Sequence, residues 1–197
     1  RAPMQGTMQF NGYYGCNWCL HPGEWLGGCV RYPAMKDDPP ERTEIQMVKD
    51  MEEAFETGTV VRGVKTVSPL INLEHFDIVW GFVPDYMHCA LLGVGRQFLE
   101  YWLEGTGEDF YVGNKIAELD DKLLGVRPPK DVRRMPRSLK DRKFWKAKEL
   151  ENWILYYSIP VMDSILGDCY LRHWAQLVES LHVMLEKEIS IIDVNAV

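Results

Sequence analysis

The chain has 197 residues, 46% hydrophobic and 26% charged, with 16 glycines and 11 prolines scattered along it. This is globular composition for one domain, or one and a half small ones, and it excludes a fibrous, low-complexity or wholly disordered chain and, with no apolar run near roughly 18 residues, a membrane span. The net charge of -7 argues against a uniformly basic nucleic-acid binder, yet ten basic side chains and two acids between Arg127 and Lys148 give that stretch +8 and leave -15 for everything else.

The chain opens at Arg1 without Met or the apolar core of a signal peptide, so the expectation is a piece of a longer protein. Up to residue 41, Asn11-Gly12, Gly15, Pro22-Gly23, Gly27-Gly28, Pro33 and Pro39-Pro40 punctuate the sequence, which predicts short strands and loops. Thr43 to Gln46 reads as a capping box, and Ile45, Val48, Met51 and Phe55 predict a helix over 44–57 that ends near Gly58. Val60-Val61 and Phe76 to Trp80 carry strand-forming side chains.

A second helix is predicted from Pro84-Asp85 to Gly105, with Met87, Leu91, Val94, Phe98 and Trp102 on one face. Gly93 and Gly95 weaken it and call for close packing. A third helix is expected over 109–124, then a basic connector, then a fourth with Phe144, Ala147, Leu150, Ile154 and Tyr157 on one side, ended by Pro160. Tyr170, Trp174, Leu177, Leu181 and Met184 mark the last helix, and the chain finishes in an apolar, β-branched stretch.

Cys16 and Cys19 are spaced so that two thiolates from one turn reach a single zinc, and His21 and Cys29 are near enough to complete a local tetrahedral site. A buried structural pair is the plainer alternative. The odd set of five cysteines, without a secretory signal, points to a reducing compartment rather than disulfides, and Cys89 and Cys169 read as small buried hydrophobes. Asp85 and His88 lie within one turn and suit metal or proton chemistry, although Asp after Pro at a helix start is first of all an N-cap. His173 and His182 read as edge-of-core residues. In the basic stretch, Arg133, Arg134, Arg137, Lys140, Lys143 and Lys146 suit DNA phosphates, with Phe144 and Trp145 to pack or stack. A solvated surface helix with Trp145 in the core is the alternative.

Four blocks carry a resemblance: Asn11 to Glu24 around the cysteine pair, Gly63-Val64-Lys65 to Ser68-Pro69-Leu70, Asp85 to Val94, and Arg137-Ser138-Leu139 through Trp153. Together they resemble the CACTA (En/Spm) type DDE transposases over nearly the whole chain. The resemblance implies an α+β, predominantly α-helical fold. Residues 1–41 would be a zinc-knuckle region adjoining a ribonuclease H-like core, and 42–197 a mainly helical insertion. It implies DNA transposition in the nucleus, with three carboxylates holding two Mg²⁺ ions in the complete enzyme. The second carboxylate would precede Arg1 and the third would follow Val197, so this chain alone is expected to be inactive. Cys16 and Cys19 would share structural Zn²⁺ with two histidines beyond Val197. DNA is the implied partner, and a homo-oligomer of the complete protein is compatible with it. Two other readings stay open: a domesticated, zinc-dependent DNA-binding or protein-interaction module, and a decayed product without function.

Overall fold

The structure is a computed structural model that describes residues 2–130, 132 and 134–196. Arg133, expected to contact DNA, lies outside the described residues. Among the described residues the fold is predominantly helical with one two-stranded antiparallel sheet, and no helix is long and apolar enough to cross a membrane. The chain divides into two compact units, Arg1–Pro84 and Asp85–Val197.

In the first unit a short helix α1 (Ala2–Gln5) precedes a hairpin of β1 (Glu24–Leu26) and β2 (Cys29–Arg31), in register Glu24 to Arg31 across the Gly27-Gly28 turn. The helix α2 (Glu44–Thr57) follows. Its Thr43 Oγ1 accepts from Gln46 N at 3.3 Å, and it ends at Gly58 in the left-handed region. Only half of the capping box forms, because the Gln46 amide turns forward to Asp50 Oδ1 (2.9 Å). The buried face is Met47, Asp50, Met51 and Ala54, whereas Ile45 and Phe55 are 72% and 73% exposed.

That face buries against Val61, Val64, Ile78, Val79 and Phe82. The compact unit therefore joins α2 and the segment up to Pro84 to the turn-rich start, and its boundary falls well past residue 41. Neither stretch expected as strand forms one. Residues 61–64 close a tight turn in which Val61 and Val64 exchange backbone hydrogen bonds (2.9 and 2.8 Å). Residues 77–81 turn on Asp77, whose Oδ1 accepts from Val79 N and Trp80 N at 2.8 Å each. An aspartate that offers the backbone a local acceptor favours a turn over a ladder, even amid β-branched neighbours.

The second unit begins with a π-helical stretch, Tyr86–Gly95, that runs into α3 (Arg96–Glu104) and stops at Gly105. A Cβ on Gly95 would sit 2.5 Å from Ile154 Cδ1, the close packing that its glycine requires. A 3-10 turn, Gly113–Lys115, leads into α4 (Ile116–Gly125), so the third helix starts later than the pattern indicates. A second 3-10 turn, Leu139–Phe144, precedes α5 (Ala147–Asn152), a π stretch (Trp153–Tyr157) and α6 (Ser158–Met162). Pro160 does not end this run. The wide π turn has already broken the i−4 ladder there, so a missing N–H costs less.

The last long helix, α7 (Asp168–Met184), buries Trp174, Val178 and Leu181, and α8 (Ile191–Ala196) follows. One apolar cluster runs from Leu91 to Leu181 and includes Trp102, Trp145, Trp153 and Trp174.

Candidate functional site

Two places carry chemistry, one in each unit. In the first unit Cys16 and Cys19 open on a pocket lined also by Phe10, Gly15, His21 and Tyr32. The turn between them gives each sulfur an amide donor two residues on: Trp18 N donates to Cys16 Sγ at 3.4 Å, and the His21 amide donates to Cys19. Amide donors stabilise sulfur as thiolate, the form in which it ligates metal. Burial pushes the Cys19 thiol up, the His21 amide pulls it back, and the adjoining Cys16 thiol pushes it up again.

Gly15 is fixed by contact. A Cβ there would lie 2.2 Å from Gln9 O and 2.6 Å from the Tyr32 hydroxyl, which accepts from Gly15 N at 2.7 Å and donates to Gly12 O.

The other two expected ligands are placed differently. The buried His21 ring has Nδ1 accepting from Gly23 N (3.0 Å) and Nε2 2.9 Å from Pro33 O, so both nitrogens hold the backbone of this loop. Cys29 is exposed on the hairpin, and its Sγ points to Leu26 O. Among the described residues no group of three or more His, Cys, Asp or Glu side chains is arranged to hold a metal ion. The donor set fits half of a tetrahedral zinc site: two sulfurs with amide support.

Behind the pair sits Arg42, a residue without any sequence signal beyond its place before the helix cap. Buried among carbonyls, it donates from Nε to Cys16 O (3.0 Å) and from Nη2 to Tyr14 O (3.0 Å) and Arg62 O (2.7 Å). Tyr14 and Arg62 both have positive φ, at 53° and 43°, and both turn their carbonyls onto this guanidinium. Burial pulls the Arg42 pKa down, while Asp50, Cys16 and Cys19 hold it up. The Arg42 charge pulls the Cys19 thiol down, against the larger upward push of burial.

In the second unit the basic stretch divides into spent and open charges. Arg142 is buried, bound to Glu100 Oε2 (3.3 and 3.2 Å), to Glu104 and to Leu139 O. Arg134 and Arg137 both reach the buried carboxylate of Glu149, at 3.5 and 3.2 Å. Lys143 is exposed and pairs with Glu104 at 3.4 Å, and Lys148 pairs with Glu151. Among the described residues Lys140 and Lys146 have no carboxylate partner, and both are exposed.

Lys143, Lys146 and Lys148 line one groove of about 660 Å³ with Met87, Leu92 and Arg96. Arg96 donates from Nη2 to Trp145 O at 3.2 Å, and its Nε is buried without a hydrogen-bond partner among the described residues. Phe144 stands in the groove 72% exposed, whereas Trp145 beside it is 3% exposed and packs on Trp153. Neither Arg96 nor the pairing of Arg142 and Lys143 was legible in the basic run, since Arg96, Glu100 and Glu104 lie far before it in sequence.

Asp85 is the N-cap of the π-helical stretch. Its Oδ1 accepts from His88 N at 2.7 Å and lies 2.8 Å from His88 Nδ1, with both side chains well exposed. Cys89 and Cys169 are exposed, contrary to their reading as buried hydrophobes, because the faces of their helices turn on Leu91 and Trp174 instead. His182 Nε2 meets Leu155 O at 2.9 Å, and His173 lies against Phe98 with ring centroids 6.1 Å apart.

No family model, curated protein or solved structure matches the chain.

Proposed function

We propose that this chain is a DNA-handling segment of a CACTA-like DDE transposase, or of a protein derived from one. In this reading the first unit adjoins a ribonuclease H-like core, and strand cleavage and transfer belong to the complete nuclear enzyme with its Mg²⁺. The observation that supports it best is the groove of the second unit: an exposed Phe144 ringed by Lys143, Lys146, Lys148 and Arg96. Cations there displace counterions from phosphates, and an aromatic face stacks on an unpaired base without reading its identity. The amide-supported Cys16 and Cys19 hold Zn²⁺ in the same reading, as a structural ion that ties down the turn, with the remaining ligands supplied by other residues.

Single-stranded DNA binding, followed by fluorescence anisotropy over a salt titration, tests the proposal. Changing Lys146, the open cation of the groove, and Lys148, which must leave Glu151 to reach phosphate, to Ala is expected to flatten the slope of log affinity against log salt by between about 0.7 and 1.4, at roughly 0.7 per contact. Phe144→Ala is expected to weaken binding at every salt concentration while leaving the slope unchanged. If the three substitutions together bind as the parent does, the groove does not touch DNA. Elemental analysis is expected to find about one zinc per chain, lost with Cys16→Ser and Cys19→Ser.

A further inference from the structure

On another part of the second unit, α3, the loop after it and α7 bring a ring of aromatic side chains around a cavity of about 200 Å³. The circuit can be followed by ring centroids. Phe98 is 6.5 Å from Tyr101, Tyr101 is 6.4 Å from Phe110, Phe110 is 5.7 Å from Tyr170, and His173, one turn along α7, is 6.1 Å from Phe98. Trp102 closes the floor, edge-on to Phe98 at 5.7 Å.

The walls are held before any ligand arrives. Trp102 packs edge to face on Trp174 at 5.0 Å, Trp174 Nε1 donates to Ser158 Oγ at 2.8 Å, and Gln97 Nε2 donates to the Tyr101 hydroxyl at 2.6 Å. Phe110 is carried by a loop fixed through Glu108 N to Gly105 O (3.1 Å) and Val112 N to Trp102 O (2.8 Å).

The same loop sets two exposed carboxylates, Glu108 and Asp109, immediately before Phe110. Burial pushes the Tyr170 phenol up, and Asp109, Cys169 and Glu108 push it in the same direction. Aromatic faces carry negative potential, so a ring of them, with two carboxylates next in sequence to the lining Phe110, attracts a cation that sheds its water easily. The volume is below the roughly 300–1,000 Å³ of pockets for whole drug-sized ligands, which suits a head group rather than a nucleotide. The carboxylates repel phosphate, which sets this cavity apart from the basic groove.

We propose that the cavity bounded by Phe98, Tyr101, Trp102, Phe110, Tyr170 and His173 binds a methylated ammonium group, as a trimethyl-lysine side chain or a free quaternary ammonium compound. Methylation spreads the charge and removes the N–H donors that would otherwise demand water, so the methylated form is preferred over plain lysine.

The test uses the whole 197-residue chain and its tryptophan fluorescence or NMR shifts. The probes are choline, its neutral isostere 3,3-dimethylbutanol, and a short peptide with trimethyl-lysine or unmodified lysine. Choline is expected to bind at least tenfold more tightly than the neutral isostere, and the trimethyl-lysine peptide at least tenfold more tightly than the unmodified one. Whichever cation binds more tightly identifies the source. Tyr101→Ala, at a half-exposed position, is expected to abolish the preference for charge, and Glu108→Gln with Asp109→Asn to reduce it severalfold while melting stays unchanged. Equal binding of choline and its isostere overturns the proposal, as does binding of neither. Binding of an oligodeoxynucleotide at these rings with no response to either cation replaces it with base stacking.

Discussion

The two units reach order by different means. In the second, twenty buried apolar side chains, four of them tryptophans, form one cluster, and buried polar groups such as Arg142, Asp120 and Glu149, each with several partners, supplement it. In the first, eight apolar side chains form the cluster, and the rest of the turn-rich segment is held by polar groups reaching across loops. Arg42 binds three carbonyls, His21 binds two backbone groups, and Ser68 Oγ donates to Met4 O at 2.6 Å. Packing tolerates changes that conserve volume, whereas a buried polar hub fails when one partner is lost. A chain that must present a thiol pair from irregular loops has little apolar surface to fix them with, so hydrogen bonds take over that task.

The largest effect is expected at Trp153, fully buried at the centre of the second cluster. Trp153→Ala should cost about 3–5 kcal/mol, the transfer loss plus an unfilled cavity. Hydrogen exchange should show amides of residues 85–197 losing protection while those of 1–84 keep theirs. Equal loss in both would mean that the units are not energetically distinct.

Next in size is Arg42→Met, which keeps the bulk and removes every donor. It leaves three carbonyls without their shared cation, two of them on residues of positive φ, and should cost roughly 3 kcal/mol. Denaturant melts followed by exchange at residues 14–24 would measure it. A loss under about 1 kcal/mol would show that water replaces the guanidinium and that the hub is dispensable. The same variant removes the fixed charge that pulls the Cys19 thiol down, so alkylation of Cys19 at neutral pH should slow relative to the exposed Cys29.

These effects also mark where the sequence was legible. Thr43, Gly58 and the spacing of Trp174 and Leu181 act within one or two turns of chain, and the helices they predict are present. The π stretches were invisible, because an i−5 register rotates the buried face and no residue type announces it; the second helix therefore buries Gly95 and Leu99 rather than Val94 and Phe98 as its inward edge. In α2 the turn at residues 61–64 and the paired Asp50 draw Met47 and Ala54 inward and leave Ile45 and Phe55 outside, a choice made by tertiary partners. At the candidate sites, the closeness of Cys16 and Cys19 follows from their spacing. Which basic side chains stay open is decided by Glu100 and Glu104, some forty residues before Arg142 and Lys143, and by Glu149 and Glu151 just after the run.

A cap is worth less than a hub. Asp85→Ala removes the acceptor for His88 N at the start of the π-helical stretch and should cost about 1 kcal/mol. Thr43→Ala, at the start of α2 with a longer bond, should cost no more than that. If Asp85→Ala proves far more damaging than Thr43→Ala, the second unit leans on polar ends more than its core indicates.

The smallest effect, and the one with a direction in pH, belongs to Glu104. The Lys143 ammonium, first by hydrogen bond and then by charge, holds the Glu104 carboxyl below its ordinary value of 4.5, with Arg142 adding to this. A carboxyl depressed in the folded state binds fewer protons there than in the unfolded chain, so unfolding takes up protons as the solution is acidified. The stability it contributes is therefore complete above the unfolded value near pH 4.5 and is lost as pH falls through the lower folded value. The group faces solvent, so salt screens it and the effect stays below that of either cap. Melting curves of the parent and Glu104→Gln should differ at pH 6, converge as the pH falls below 4.5, and lie closer together in high salt. A difference that persists unchanged however far the pH falls below 4.5 would assign the contribution of Glu104 to packing around Arg142 rather than to its charge, and would bring this corner of the second unit nearer to the polar-hub construction of the first.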